Sequence, residues 1–490
     1  MKYDVAIVGA GPVGTTLAAL LAKRGLSVVV LERDLDIYPL PRAAHLDAET
    51  ARNLREVGAW RDTPGWSIAN EGMDFISGRG ELLLRMSSHD TPDHTVAQSN
   101  LFHQPSLDRL LRDQAAGFGA EFRLGHEVTD IRETGDGVRV DVKALDGSST
   151  VVEASWVVGC CGARSFVRRH LGVAQIDLEF NEPWLVVDII ITGDDPDPPQ
   201  RAAQVCDPVR PHTIVPMPAP RRRFEFMLLP GENSDDINRT DVIETLMEPY
   251  FALGNATIER SAVYTFHGLI TREWRRGRVL LAGDAAHQMP PFLGQGMCSG
   301  VRDAVNLAWK LAAVVRGADD SLLDTYQPER SPHVQRIVES AVGFGRIICT
   351  LDPEVAAERD RNMLAARAAN PADIGEAPQP ALSGSPLIVD GAGYVVSDGR
   401  LDDVVLDDVL DGRWAVVVAN DSMLTATDRA MLNRIDALVL VARPGTVTQR
   451  VLDNAQSDVV VVRPDRIVLG SGRPGLDALA RAVEQYALVA

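Results

Sequence analysis

The chain has 490 residues, 45% of them hydrophobic and 24% charged, which argues against a disordered polymer and allows about three domains. With 49 Lys and Arg against 68 Asp and Glu, the net charge is −19, and such an acidic surface repels nucleic acids. No apolar run approaches the ~18–20 residues that span a bilayer. The five cysteines include no CxxC pair, which is typical of a reducing compartment and offers no metal motif. Together with the charge and the hydropathy, this predicts a cytoplasmic protein with no membrane, nucleic-acid or metal site.

The first predicted unit is a strand, a glycine loop, a helix and a second strand. Residues 5–8 are an apolar run too short for a helix, leucines at 17, 20 and 21 recur at helical spacing, and residues 28–31 are again apolar. Fully apolar strands around a helix predict a parallel sheet covered on both faces. The loop itself, Gly-Ala-Gly-Pro-Val-Gly at residues 9–14, matches the GxGxxG pattern of dinucleotide sites.

The residues of this loop have separate physical roles. Gly9 makes the turn, Gly11 lets the backbone approach a pyrophosphate, and Gly14 lets the helix pack on the sheet. The helix N-terminus supplies N–H groups and positive partial charge. Glu32, 18 residues beyond Gly14 at a strand end, can accept a ribose hydroxyl. We interpret the loop as a dinucleotide site; a merely tight turn is the alternative.

A second GxGxxG match occurs at residues 470–475. Only 15 residues follow it, with neither a further strand nor an acidic residue to hold a ribose. We therefore predict a turn before a C-terminal helix there, and a single dinucleotide site in the chain.

Further along the chain, β-rich segments predominate before the initial pattern returns. Strands are predicted at 138–142, 151–158, 184–192 and 224–229. From residue 278 the chain forms an apolar strand, a glycine-proline loop and a helix with one apolar face. An Ala/Pro-rich linker follows from 365, and a third unit with strands at 414–418, 437–442, 458–462 and 466–469 begins near residue 400.

The loop between residues 283 and 297 resembles a second cofactor-binding segment. Asp284, at a strand end, can accept hydrogen bonds from polyol hydroxyls. The helix, predicted to begin near Ser299, directs its N–H groups at an anion, and a reduced flavin carries one at its N1–C2=O edge. A helix dipole stabilises such a charge by roughly 0.3–2 kcal/mol.

Over nearly its whole length, the sequence resembles the group A aromatic flavoprotein monooxygenases. The likeness rests on the two loops above and on the motifs at 32–33, 41–43, 102–105, 159–164, 204–208, 225–232 and 264–267. It implies an α/β fold with a Rossmann-like FAD-binding domain, an inserted β-sheet substrate domain and a thioredoxin-like C-terminal domain. The implied boundaries are 1–175 and 271–364 for the FAD-binding domain, 176–270 for the substrate domain, 365–395 for a linker and 396–490 for the C-terminal domain.

The resemblance also implies roles at matched positions. Arg42 and Gln104 would contact FAD, Val128 would lie by the adenosine, and Asp284 would bind the ribityl chain. Pro291 would sit beside the flavin edge where oxygen adds, and residues 294–297 would hold the pyrimidine end. The implied cofactor-binding residues are Gly9, Gly11, Pro12, Val13, Gly14, Glu32, Arg33, Arg42, Gln104, Val128, Gly162, Asp284, Pro291, Gly294, Gly296 and Met297.

Two positions depart from the family pattern. Cys161 stands where the family usually has Asp, a carboxylate thought to touch both FAD and the nicotinamide nucleotide. Cys298 stands where Asn usually follows Gly296 and Met297, so a side-chain donor to the flavin is lost. Both thiols are expected to be inert packing rather than reactive groups.

The implied reaction is reduction of FAD by NAD(P)H, O2 addition to give a C4a-hydroperoxyflavin, and transfer of OH to a phenolic ring. The apolar segment 289–293 would keep water out. Ionising a phenol with a pKa of about 10 at pH 7 costs ~4 kcal/mol, so a base or hydrogen-bond relay is expected. Alongside Pro291, the candidate residues are His45, Tyr264 and His267, followed by His212. The arginines at 221–223 and 275–276 are expected to be solvated loop charges.

Two alternatives stay open from the sequence. A flavin-binding protein without turnover, for ligand sequestration or redox sensing, is suggested by Cys161 and Cys298. An NAD-dependent dehydrogenase would be colourless. The predicted partners are a small phenolic substrate and O2, and the C-terminal unit, which lacks CxxC, is expected to serve packing or formation of a homodimer.

Overall fold

The computed structural model describes residues 2–40, 42–60, 65–194, 199–251, 253–375 and 379–489. It is a mixed α/β structure, as predicted, built on two large sheets and a smaller C-terminal one. Within these ranges, the helices are too short or too polar to cross a membrane.

A mainly parallel sheet carries the N-terminal loop. Its strands run in the order β17-β18-β11-β1-β2-β8, with β10 and β9 added antiparallel beyond β11. Strands β1 and β2, β1 and β11, β2 and β8, and β11 and β18 are parallel. The bounds are β1 Lys2–Val8, β2 Val28–Glu32, β8 Glu121–Leu124, β9 His126–Glu133, β10 Val138–Ala144, β11 Ser149–Gly159, β17 Arg275–Arg276 and β18 Val279–Leu281.

A mixed sheet lies beside it, in the order β19-β16-β12-β15-β14-β13-β5-β6-β20. Its bounds are β5 Gly72–Ser77, β6 Leu82–Ser87, β12 Gln175–Ile191, β13 Ala202–Cys206, β14 His212–Val215, β15 Arg221–Met227, β16 Ala256–Thr271, β19 His287–Gln288 and β20 Ile374–Gly375. A separate small sheet consists of β3 His45–Asp47, β4 Ser67–Ala69 and β7 Ser99–Phe102.

The C-terminal unit has its own sheet, and part of its core is shared with Trp309 and Leu322. The sheet order is β24-β23-β25-β26, with β21 and β22 forming a separate pair. The bounds are β21 Arg400–Leu401, β22 Val404–Val405, β23 Ala415–Val418, β24 Leu438–Val441, β25 Val459–Val462 and β26 Val468–Ser471. The second GxGxxG match ends β26 and begins the last helix, so it is a strand-to-helix turn, as predicted.

Helices cover the sheets. They are α1 Pro12–Lys23, α2 Ala48–Glu56, α3 Gln104–Gly117, α4 Phe166–Leu171, α5 Ser234–Ile237, α6 Thr240–Met247, α7 Gly296–Val315, α8 Tyr326–Ile348, α9 Pro353–Ala369, α10 Leu406–Leu410, α11 Ala426–Arg434, α12 Val447–Ala455 and α13 Gly472–Gln485. Short 3-10 turns occur at Gly283–Ala285 and Pro291–Leu293. Helix α7 begins three residues before the predicted Ser299, and α9 extends to Ala369, inside the range predicted as a linker.

Buried ion pairs join α7 and α8 to the C-terminal unit. One Glu329 oxygen accepts hydrogen bonds from Lys310 and Arg463, each at 2.8 Å, and Arg463 also pairs with Asp465. Burial alone would raise the pKa of Glu329, but Arg463 and Lys310 hold it well below its usual range. Burial likewise lowers the pKa of Lys310 to about 8. The charges of the two cations, Lys310 and Arg463, and the two carboxylates, Glu329 and Asp465, sum to zero. Each buried charge is therefore compensated by the others.

Glu329→Gln tests this junction. Because it leaves Lys310 and Arg463 buried with too little negative charge, we expect it to destabilise the protein by about 3–5 kcal/mol. The fall in thermal midpoint, measured by circular dichroism, should be larger at pH 7 than at low pH. The reason is that a carboxylate whose pKa is held low contributes its stability above its unfolded pKa and loses it as the pH falls.

The matched control is Asp402→Asn. Asp402 pairs with Arg443 at the surface, where both side chains are more than half exposed, so its removal should leave the midpoint nearly unchanged. An equal effect of the two substitutions would contradict the role assigned to the buried pairs.

Candidate active site

The glycine loop after β1 is held by close packing at two of its three glycines. A Cβ on Gly9, which has a φ of +108°, would lie 2.6 Å from the carbonyl oxygen of Cys160, and one on Gly14 would lie 2.1 Å from that of Gly9. At Gly11, however, the nearest atom to such a Cβ is a guanidinium nitrogen of Arg42, 4.0 Å away. The backbone is therefore open at Gly11, where a pyrophosphate would approach.

Glu32 fixes the same loop from the end of β2. Its carboxylate accepts hydrogen bonds from the backbone N–H of Ala10 at 2.7 Å and of Asp34 at 3.0 Å. Helix α1 begins after Gly11, which has no side chain to cap the first-turn N–H groups, and Pro12 stands at the first turn. These groups fit the phosphates and ribose of FAD, because the N–H groups can donate hydrogen bonds to phosphate oxygens and Glu32 retains lone pairs that can accept from a hydroxyl.

The second loop lies directly against the first, although nearly three hundred residues separate them in sequence. A Cβ on Gly300 would lie 2.5 Å from a methyl group of Val13, and one on Gly283 would lie 3.0 Å from the same methyl. Val13 therefore packs against both the turn after β18 and the first turns of α7. The carboxylate-bearing Asp284 is exposed beside this contact.

Arg168 also ties this region together, and sequence reasoning missed it. Its guanidinium donates to the backbone oxygens of Ala163 at 2.7 Å and Ala285 at 3.2 Å, so it bridges the loop around Gly162 and the loop around Asp284. The only signal in the sequence is a pair of arginines after the Gly162 motif, which by itself does not distinguish a bridging residue from a surface charge.

Gln104 bridges the protein's own segments. Its side-chain oxygen accepts from the backbone N–H of Arg42 at 3.0 Å and of Ala43 at 2.7 Å, while its nitrogen donates to Asp108. Burial raises the pKa of Asp108 to about 6. Arg33 and Arg42 are exposed, whereas Val128 is buried in β9 opposite Val142.

The sulfur atoms of Cys161 and Cys298, the two cysteines that depart from the family pattern, both lie against other atoms of the protein. Cys298 is buried in the first turn of α7 with its sulfur 3.6 Å from the carbonyl oxygen of Gly294, and burial raises its pKa to about 12. The Cys161 sulfur lies 2.9 Å from the hydroxyl oxygen of Ser165, the N-cap of α4. Cys298 thus packs as an apolar residue.

One face of the mixed sheet is turned toward the Pro291 turn. Trp184 of β12 contacts Phe266 of β16 and Phe292, with ring centroids 6.1 and 5.4 Å apart. Tyr264 pairs with Trp184 across the strands and so lies on the same face. This face therefore packs against the Pro291 turn through buried aromatic rings, beside the second loop.

Charged groups on the same face connect it to the backbone of Arg42, whose guanidinium lies beside Gly11. Arg223 donates to Asp188 at 2.7 Å and to the backbone oxygen of Arg42 at 2.8 Å. Arg260 also reaches Asp188, at 3.4 Å, and lies over the Tyr264 ring. The expectation of solvated loop charges at 221–223 is wrong: these residues belong to β15, and Arg222 and Arg223 are buried. Arg275 of the other pair is bound to Asp324 at 2.7 Å.

Two of the candidate histidines lie on the other face of this sheet. His212 stacks on Phe226, which packs with the residues beneath α5 and α6. His267 is three residues from Tyr264 along β16, so it points to the opposite side, where its ring bonds Asn181 at 2.6 Å. Of the four candidates, the structure thus brings His45 and Tyr264 toward the two loops and His212 and His267 away from them.

A separate cavity of about 630 Å³ lies at the junction of α2, α7, α8 and the C-terminal unit. Its walls are polar, and its arginines are engaged in ion pairs: Arg302 with Asp47, Arg450 with Asp93, Arg52 with Asp398 and Asp407, and Arg330 with Asp303. We interpret this cavity as a gap at the interface between the units rather than as the active site. Few aromatic side chains line it, and its arginines are already paired with carboxylates.

Comparison with known proteins agrees with this geometry. An FAD binding domain family matches residues 2–341. A probable NADH-specific resorcinol 4-hydroxylase of Rhodococcus jostii is 38% identical, covering 99% of this chain and 95% of that protein. A 3-(3-hydroxy-phenyl)propionate/3-hydroxycinnamic acid hydroxylase of Mycolicibacterium smegmatis is 33% identical, covering 96% and 90%. The fold matches aklavinone-11 hydroxylase, solved with FAD and aklavinone, with a TM-score of 0.80 over 99% of both chains at 23% identity.

Gly11→Ala separates cofactor binding from folding. Because only a flexible arginine lies within 4.0 Å of the added Cβ, the thermal midpoint without cofactor should hardly change. The methyl group would intrude where the pyrophosphate passes, so the FAD dissociation constant, measured by flavin fluorescence, should rise at least ~10-fold, which corresponds to about 1.4 kcal/mol. Gly135→Ala, at a position with nothing within 4 Å, is the control and should change neither quantity.

Proposed function

Because the chain belongs to the group A aromatic flavoprotein monooxygenases, we propose that it hydroxylates a small phenolic compound using FAD, NAD(P)H and O2. The observation that carries the proposal is the contact of Val13 with Gly283 and Gly300, which unites two cofactor-type loops beneath one aromatic-walled face. Bound FAD supplies the redox chemistry: it takes two electrons from the nicotinamide nucleotide and activates O2.

We assign the cofactor contacts to both loops. The first loop and Glu32 would hold the pyrophosphate and ribose, with Arg33 and Arg42 at the exposed rim. Asp284 would bind the ribityl chain, and Gly294, Gly296 and Met297 would border the pyrimidine end, where the α7 N-terminus favours negative charge. Pro291 would lie at the reacting edge. Val128, although buried in the main core, and Gly162 remain predicted contacts.

The substrate would lie between the Pro291 turn and the face that carries Trp184. The aromatic side chains there exclude water and stack with a phenolic ring, with edge and face contacts of the kind that favour ring pairs. Burial raises the pKa of Tyr264, despite the nearby Arg260 guanidinium. Tyr264 is therefore neutral near pH 7 and suits donation of a hydrogen bond to the substrate oxygen rather than removal of its proton.

The relatives favour a hydroxylase over a flavin-binding protein without turnover, since both curated proteins above are named as hydroxylases at 33–38% identity. NADH rather than NADPH is our proposed electron donor, because the more similar of the two is named NADH-specific. We also propose that the C-terminal unit is a thioredoxin-like domain without redox chemistry and that the mixed sheet is an insertion in the FAD-binding domain. Homodimer formation and cytoplasmic location remain predictions.

Turnover provides the test. Purified protein with FAD, NADH and a panel of phenols under ¹⁸O2 should consume NADH faster when a substrate phenol is present and give a product with one ¹⁸O atom. NADH consumption that yields only hydrogen peroxide with every phenol would contradict the hydroxylase assignment, and a colourless protein that takes up no FAD would contradict the cofactor assignment.

Tyr264→Phe should lower kcat/KM for the phenol about 10- to 100-fold, because a hydrogen bond to a charged oxygen contributes roughly 1.5–3 kcal/mol. Binding of FAD should be unchanged. Tyr250→Phe is a matched control, since Tyr250 packs against His212 on the other side of the same sheet and should leave steady-state rates unaffected.

A further inference from the structure

The ring of His45 lies between the loop that precedes α7 and the small sheet. His45 begins β3 and pairs with Leu101 of β7. Its Nδ1 is 3.4 Å from the carbonyl oxygen of Gly294, and its Nε2 is 2.8 Å from the hydroxyl oxygen of Ser99. Both ring nitrogens are therefore directed at protein atoms.

The donors and acceptors around the ring define one consistent arrangement. A carbonyl oxygen can only accept, so Nδ1 must carry the hydrogen that faces Gly294. In the neutral ring, Nε2 then accepts from the hydroxyl of Ser99, whose oxygen accepts in turn from the side-chain nitrogen of Asn70 at 3.0 Å. Ser99 and Asn70 are buried, so this chain of three side chains is anchored in the small sheet.

The ring also determines the shape of the loop. Gly294 has a φ of +63°, and a Cβ there would lie 2.6 Å from the His45 Nδ1. The Cys298 sulfur approaches the same carbonyl oxygen at 3.6 Å from within α7. The carbonyl of Gly294 is thus turned inward, and because the C=O and N–H of a trans peptide point in opposite directions, the following N–H of Gln295 points outward.

We propose that His45 is a positioning residue for the flavin-binding loop and not the base that deprotonates the phenol. It holds the Gly294 carbonyl so that the backbone N–H groups at the start of α7 face the pyrimidine end of the flavin. The inference rests on the proposed function, in that residues 294–297 border that end. A base for the substrate would need a ring nitrogen directed at the face carrying Trp184, and both nitrogens are engaged elsewhere.

Two substitutions separate the roles. His45→Asn places an amide nitrogen near the position of Nδ1, so it can still donate to Gly294 but cannot act as a base. His45→Leu fills the space without a donor. We expect His45→Asn to keep the FAD dissociation constant within about 3-fold of the parent value. The midpoint potential of the bound flavin should stay near that of the parent. His45→Leu should weaken FAD binding about 3- to 10-fold and lower the midpoint potential, because the loop N–H groups would no longer be aligned with the reduced flavin anion.

Ser99→Ala removes the other anchor of the ring and should shift both quantities in the same direction as His45→Leu. His89→Gln, at an exposed position, is the control and should change neither. A His45→Asn protein that keeps normal FAD binding and potential but loses hydroxylation, with its kcat no longer following the pH profile of the parent, would overturn the proposal and make His45 the base. Failure of the parent protein to bind FAD would instead overturn the proposed function, so the two failures are distinguishable.

Discussion

The contact between Val13 and the glycines at 283 and 300 is the constraint on which the site depends. Each loop alone is an ordinary strand-to-helix turn. Packed around one methyl-bearing side chain, the N-termini of α1 and α7 come close enough to serve a single extended cofactor. Larger residues at either glycine would force the helices apart, since the added Cβ would lie 2.5 to 3.0 Å from Val13. Helix packing on this scale tolerates little extra volume.

The mixed sheet contributes to the site because it contacts the cofactor-binding part of the chain at two places. Phe292 enters its aromatic face near β12 and β16, and Arg223 bonds the backbone of Arg42 farther along the same face. This face is thereby attached both to the Pro291 turn and to the segment at Arg42, which lies beside Gly11. The buried Asp188, which receives Arg223 and Arg260, supplies the charge compensation that lets two arginines occupy this face.

Local patterns predicted the parallel strands, both loops and the C-terminal unit, because alternation of apolar runs with glycine turns is a property of short segments. The resemblance to flavoprotein hydroxylases supplied the cofactor. Single segments could not predict which face of a strand is turned toward the loops. From the sequence, His212 and His267 are candidates of the same kind as Tyr264. Only the cross-strand register shows that the two histidines lie on the opposite face of the sheet from Tyr264. Arg168 and Asp188 were missed, and Arg223 was wrongly taken as a solvated charge, for the same reason: their partners are remote in sequence, and a buried arginine has no local signature.

The buried ion pairs beneath the C-terminal unit have a consequence for how this chain can be shortened. Glu329 of α8 pairs with Lys310 of α7 and also with Arg463 of the C-terminal unit, and Arg52 of α2 pairs with Asp407 of that unit. A version ending near residue 395 would expose Arg52, Lys310 and Glu329 to solvent and remove the partners that Arg52 and Glu329 have in the C-terminal unit. Relatives built without such a unit would need different residues at the positions of Arg52, Lys310 and Glu329, which makes these three positions a marker for its presence.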